Sequence, residues 1–180
     1  MQTYITKFGF INTATSLDDA RLAQQRYDAL DLLNQVVYGE GDYEKHPATY
    51  MWQNNPRGLV AYGISMCTEW TFGRGFDDAS VYPELQKISL DLEGGEWSRE
   101  NPPWKYDKDL IRSHRSNLLM QDRSYYGKTF HGAPDLMPLL WPVTSGDGTY
   151  DLMVSKADKE RIAKGERVLP KDVAKRVSNL

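Results

Sequence analysis

Within the six residues Arg112-Ser113-His114-Arg115-Ser116-Asn117 the chain gathers two arginines, a histidine, two serines and an asparagine. Arginine presents a planar fork of donors that matches phosphate oxygens two at a time, and serine and asparagine commonly supplement such contacts. A DNA- or phosphate-facing helix is one reading of this segment. A solvated helix face, with His114 turned into the core, is the other. Trp104, Tyr106, Tyr125 and Tyr126 lie close by in sequence. Their rings can stack on bases, although aromatic residues also serve as ordinary core.

Other chemistries find less support. His46, His114 and His131 lack the i,i+3 or i,i+4 spacing of a helical metal-ligand pair. Cys67 is the single cysteine, so an internal disulfide and a multi-cysteine zinc site are both excluded. It sits in the apolar run LVAYGISMC, where a thiol behaves as an inert small core residue. Gly73-Arg74-Gly75 lacks the lysine and Ser/Thr of a phosphate-cradling loop.

The elements that must position these groups read as mainly helical. Leu17 to Val37 is the clearest helix, with Ser16 as its cap, Asp18 and Asp19 in its first turn and Gly39 as its stop. Leu22, Ala29, Leu30, Leu33 and Val37 recur at helical spacing, and Arg21, Gln25 and Asp28 form a polar stripe. A short helix follows over 46–53. The apolar stretch from Gly58 to Phe72 predicts a central, buried helix. Residues 73–103 read as a long irregular excursion with one helical turn around Glu84 to Leu90. Asp107 to Gln121 is the third main helix. Beyond it come an aromatic loop, SYYGKTF, the turn-rich run PDLMPLLWP, and a charged tail whose two short helices are broken by Gly165 and Pro170.

A length of 180 residues suits one compact helical domain with long loops and a short helical C-terminal extension. The boundary is expected at 142/143, giving a domain over 1–142 and an extension over 143–180. No apolar stretch is long enough to span a bilayer, and the first residues lack the pattern of a secretory signal. A reducing, cytoplasmic setting, in a bacterial cell or a phage-infected host, is the expectation. The formal net charge is −3. Its distribution matters more, because phosphate binding follows local surface charge. Residues 1–100 hold 8 Lys/Arg against 15 Asp/Glu, whereas residues 101–180 hold 14 against 10.

The order of motifs resembles the pyrimidine-dimer DNA glycosylase family, in its bacterial and phage branch related to the phage endonuclease V enzymes. The segments that carry the resemblance are MQTY at the start, LDDARLAQQRYDAL at 17–30, HPATYMW at 46–52 and AYGISMCTEW at 61–70. PPWKYDKDLIRSHRSNLL and DLMPLLWP extend it to residue 142.

That resemblance implies a mostly helical, monomeric enzyme that removes a damaged or modified base from double-stranded DNA, with abasic-site lyase activity and no metal or organic cofactor. In the family an exposed N-terminal amine attacks the sugar carbon and a glutamate on the first long helix assists. An α-amine is about 2.5 pKa units less basic than a lysine side chain, so more of it is neutral and nucleophilic near neutral pH. By this correspondence Met1, Asp28 and Arg21 are the catalytic candidates. Arg26, His46, Arg112, His114, Arg115, Ser116 and Asn117 are the DNA-binding candidates. Asp28 stands where the family has its glutamate and is one methylene shorter. Gln2 is bulky where the endonuclease V enzymes expose a small residue, and it is expected to leave Met1 in place. Either the Met1 amine is then the nucleophile, or the lyase step is absent. A non-catalytic DNA-binding protein on the same scaffold is the alternative.

Overall fold

A computed structural model describes residues 1–95, 97, 101–145 and 147–178. The mainly α expectation is borne out. The chain divides into two compact units, 1–105 and 106–180, and the boundary expected at 142/143 falls inside a strand of the second.

The first unit begins with an extended segment, residues 1–6, followed by α1 (Phe10–Thr15) and α2 (Asp19–Leu33). Asp18 caps α2, its side chain accepting from Arg21 N–H at 3.0 Å. Ser16, the expected cap, instead closes α1 and bonds Thr6 and Thr13. The end of α2 widens into a π-helical turn over Asn34–Tyr38 and stops at Gly39, whose φ of 70° is the left-handed conformation that glycine adopts freely. α3 (Pro47–Trp52) and α4 (Pro56–Thr68) both start on proline, which needs no N–H in a first turn. α4 extends through a second π-helical turn, Glu69–Gly73.

α5 (Val81–Glu93) is a full helix where the sequence reading expects a single turn. Pro83 lies in its first turn, where its missing N–H costs nothing. Val81, Leu85, Ile88 and Leu92 form its buried stripe. Four residues of the expected excursion, 96 and 98–100, lie outside the described residues. The core of this unit is built by Leu22, Ala29 and Leu33 of α2, Leu59, Tyr62 and Met66 of α4, and Leu85 of α5. Trp104 packs edge-on to Trp52, with ring centroids 4.7 Å apart.

The second unit opens with α6 (Lys108–Gln121), capped by Asp107 through bonds of 2.8 and 2.9 Å to the Asp109 and Leu110 amides. The segment read as an aromatic loop is a helix, α7 (Arg123–Thr129), which Asp122 caps. The turn-rich run ends in a strand, β1 (Leu140–Thr144), paired antiparallel with β2 (Tyr150–Val154). Pro142 is tolerated because β1 pairs on one side alone among the described residues, with β2, and so is an edge strand. α8 (Lys156–Ala163) and α9 (Lys171–Ala174) are the two short tail helices expected around Gly165 and Pro170. Among the described residues no helix is long and apolar enough to cross a membrane.

Candidate active site around Asp28

The extended segment at the start of the chain is fixed residue by residue to the helices of the first unit. Gln2 N–H donates to Asp28 Oδ2 at 2.9 Å. Thr3 is fully buried, and its hydroxyl accepts from Trp52 Nε1 at 2.8 Å. Tyr4 N–H donates to Gln25 Oε1 at 2.8 Å, and Gln25 Nε2 donates to Gln2 O at 2.5 Å. Tyr62, fully buried on α4, donates its hydroxyl to the same Gln25 Oε1 at 2.5 Å. Both oxygens of Asp28 are engaged. Gln24 Nε2 holds Oδ1 at 2.9 Å, and Gln25 Nε2 lies 3.4 Å from Oδ2. Asp28 as a whole is 4% exposed.

Charge also ties this cluster together. Burial lowers the pKa of the His46 imidazole, and the positive N-terminus lowers it further, while Asp28 pulls it back up. The Asp31 carboxyl is raised first by burial and then by Asp28, with the N-terminal charge opposing. Burial pushes the Tyr62 phenol well above its ordinary range, and the charge of Asp28 adds to this. The N-terminal charge and Asp28 thus both act on His46, in opposite directions. His46 is also the cap of α3, its Nδ1 accepting from Ala48 N–H at 3.1 Å. Arg21 shares the Asp28 side of α2, two turns away, and pairs with Asp18 at 3.0 Å.

Arg26 leaves the candidate set. It is 3% exposed and forms a buried ion pair with Asp78, its guanidinium packed 4.7 Å from the Trp70 ring centroid. A side chain so enclosed has no face for a phosphate. Cys67 lies in the same surroundings, where burial and then Asp78 push its thiol up to about 12, so it is inert as expected.

The six-residue cluster of the second unit separates into two groups on α6. His114 and Ser116 have no exposed surface. His114 Nε2 lies 3.1 Å from Leu140 O, and burial holds its pKa down at about 4. Ser116 Oγ accepts from Met137 N–H at 2.9 Å, and the neighbouring Ser113 Oγ accepts from Leu140 N–H at 2.7 Å. Both serines and the histidine therefore dock β1 and the run before it onto α6, and the DNA-contact reading of His114 and Ser116 is corrected. Arg112, Arg115 and Asn117 keep some exposure. Arg112 is paired with Asp109 at 3.0 Å and Asp172 at 3.1 Å. The Arg115 guanidinium lies 5.4 Å from the Phe130 ring centroid, and Asn117 Oδ1 accepts from Gln121 Nε2 at 2.7 Å.

Gln24 and Tyr62 are site residues that sequence reasoning missed, and Gln25 was seen only as part of a polar stripe. Glutamines at exposed helical spacing resemble solvated face, and a tyrosine inside an apolar run resembles core. Among the described residues no group of three or more His, Cys, Asp or Glu side chains is arranged to hold a metal ion.

These elements define a helical protein whose first residues are clamped beside a carboxylate on its first long helix. A family model described as pyrimidine dimer DNA glycosylase matches residues 1–82, and the resemblance to that family is borne out over this stretch. The match contains α1 to α4 and the whole Asp28 cluster. The motifs after residue 82, RSHRSNLL among them, lie outside it. No curated protein and no solved structure matches the chain.

Proposed function

We propose that the chain is a DNA glycosylase that removes a damaged or modified pyrimidine base from double-stranded DNA, with the Met1 amine as nucleophile and Asp28 as its carboxylate partner. The observation that carries this reading is the 2.9 Å bond from Gln2 N–H to Asp28 Oδ2, which sets the first residue beside a negative charge. The family description supports the activity, and the lyase step is this reading's own extension.

In the proposed reaction the amine lone pair bonds to C1′ as the bond from C1′ to the base breaks. The base leaves with the electron pair of the broken glycosidic bond and takes up a proton. The nitrogen then loses a proton and its lone pair forms the Schiff base C=N bond as the C1′–O4′ bond breaks, O4′ keeping that bond's electrons and taking up a proton. Water then releases an abasic site, or β-elimination cleaves the strand. Asp28 opposes the positive charge that develops on the sugar, a role pre-placed carboxylates fill well. The target nucleotide must first leave the base stack. Arg21, Arg112, Arg115 and Asn117 are the proposed phosphate contacts, and His46 the proposed contact nearest the nucleophile. The proposed working form is a monomer in the cytoplasm.

A non-catalytic DNA-binding protein is the second reading. It is favoured by the shorter carboxylate and by the engagement of both Asp28 oxygens. Duplexes carrying different lesions, scored separately for base release and strand cleavage and reduced with borohydride, decide between the two. The enzyme gives a covalent adduct that disappears when the α-amine is acetylated. Binding with neither adduct nor base release establishes the second reading.

A further inference from the structure

Gln25 sits between the N-terminal segment and Asp28, and its carboxamide does two separate jobs. A carboxamide offers a donor and an acceptor side by side, as a backbone peptide does. In an extended segment the carbonyl of one residue and the N–H two residues on point to the same edge. Gln2 O and Tyr4 N–H are such a pair, and Gln25 satisfies both, at 2.5 and 2.8 Å. The side chain stands in for a missing strand partner.

The orientation of this carboxamide is fixed from both ends. The Tyr62 hydroxyl donates to Oε1 at 2.5 Å, and Asp28 Oδ2 faces Nε2 at 3.4 Å. Turning the amide over would set two donors against each other at Tyr4 N–H and two acceptors against each other at Gln2 O and Asp28. Gln25 is 2% exposed and Tyr62 is fully buried, so water does not compete for these bonds. With the N–H of Gln2 on Asp28 and its carbonyl on Gln25, both polar groups of this residue's backbone are held. Since the Met1–Gln2 peptide is planar, only rotation about one backbone bond of Met1 remains between the clamp and the amine.

We propose that Gln25 is a positioning residue that presents the Met1 amine beside Asp28, with Tyr62 as the brace that fixes its carboxamide. This rests on the reading of Met1 as nucleophile. Holding a nucleophile in its attacking geometry raises rate without adding any contact to the substrate. Loss of the clamp therefore lowers the rate of chemistry and leaves DNA affinity unchanged.

The test uses the full chain with Gln25→Met, Tyr62→Phe and, as a control destabilised away from the cluster, Leu85→Ala. Adduct formation with an abasic duplex is measured by borohydride trapping at saturating protein, beside Kd, thermal unfolding and amide exchange at Tyr4. Q25M is expected to slow trapping by about 10²-fold at unchanged Kd, Y62F to slow it less, and L85A to lose stability while trapping at the wild-type rate per folded molecule. Wild-type trapping in folded Q25M overturns the proposal, as does a loss in L85A equal to that in Q25M. Absence of any adduct in the wild type sinks the nucleophile reading itself. The clamp is then judged by Tyr4 exchange: protection lost in Q25M supports it, and equal exchange in both proteins overturns it.

Discussion

Asp28 and His114 are both buried polar residues, and their surroundings assign them opposite work. Asp28 is held by N–H donors that a charged oxygen satisfies best: Gln2 N–H, Gln24 Nε2 and Gln25 Nε2. In Asp28→Asn the side-chain oxygen still accepts from Gln2, so the N-terminal segment stays seated while the charge is lost. Base release is expected to fall by about 10²–10⁴-fold with Kd for the duplex retained; equal loss of both would mean that Asp28 serves binding alone. His114 is neutral and sealed against Leu140, with a pKa of about 4 against the ordinary 6.5. As pH falls below 6.5 the unfolded chain takes up a proton that the fold refuses until about pH 4. Stability is therefore complete above pH 6.5 and declines between those values, by about 3 kcal/mol in all at 1.36 kcal/mol per unit. Urea unfolding at a series of pH values, with the His114 ring followed by NMR, checks this. A ring that titrates near 6.5 in the folded protein would refute it.

At the scale of elements, the core of the first unit depends on how closely α2, α4 and α5 pack. A Cβ on Gly63 of α4 would lie 2.9 Å from Leu85 Cδ1 and 3.2 Å from Ala29 Cβ, so glycine is what lets the three helices meet. Gly63→Val is expected to cost about 1–3 kcal/mol through overpacking, measured by denaturant unfolding. Arg26 and Asp78 tie α2 to the start of α5, where Asp78 also accepts from Val81 N–H at 3.1 Å. Truncation to Arg26→Ala leaves that buried carboxylate unpaired and is expected to cost about 3–5 kcal/mol; a loss no greater than that of a surface arginine would show that the pair is not what anchors α2. The periodic helices α2, α4 and α6 were legible in the sequence because their apolar stripes are long. α5 was hidden by Pro83, which reads as a breaker until its first-turn position is known. The ribbon β1–β2 was hidden by Pro142 and by strands of only five residues. Ser113, His114 and Ser116 resembled a phosphate contact because donors that bind a carbonyl and donors that bind a phosphate are the same residues. Only the strand packed on α6 tells them apart.

At the scale of the molecule, charge differs between the two units, and the family match lies within the first of them. Residues 1–105 carry 9 Lys/Arg and 15 Asp/Glu, and residues 106–180 carry 13 and 10. The family match and the Asp28 cluster lie in the acidic unit, while the proposed phosphate contacts Arg112, Arg115 and Asn117 lie in the basic one. An acidic first unit gains little attraction for a polyanion, so under the proposed function affinity is expected to come from the second unit. Each arginine that neutralises a phosphate releases counterions, and log K against log salt loses about 0.9 of slope for each contact removed from a duplex. Arg112→Ala and Arg115→Ala are each expected to weaken binding across all duplex sequences and to reduce the salt slope by about one. Asp172→Ala makes the opposite prediction. Its carboxylate is one of two on the Arg112 guanidinium, at 3.1 Å beside Asp109 at 3.0 Å, so its removal takes away one competing negative charge and should tighten binding, most of all at low salt. Fluorescence anisotropy with a labelled duplex over a range of salt concentrations measures all three. If the slope is unchanged in both arginine variants while base release persists, the basic unit does not contact DNA, and Arg21 on α2 becomes the phosphate contact to test next.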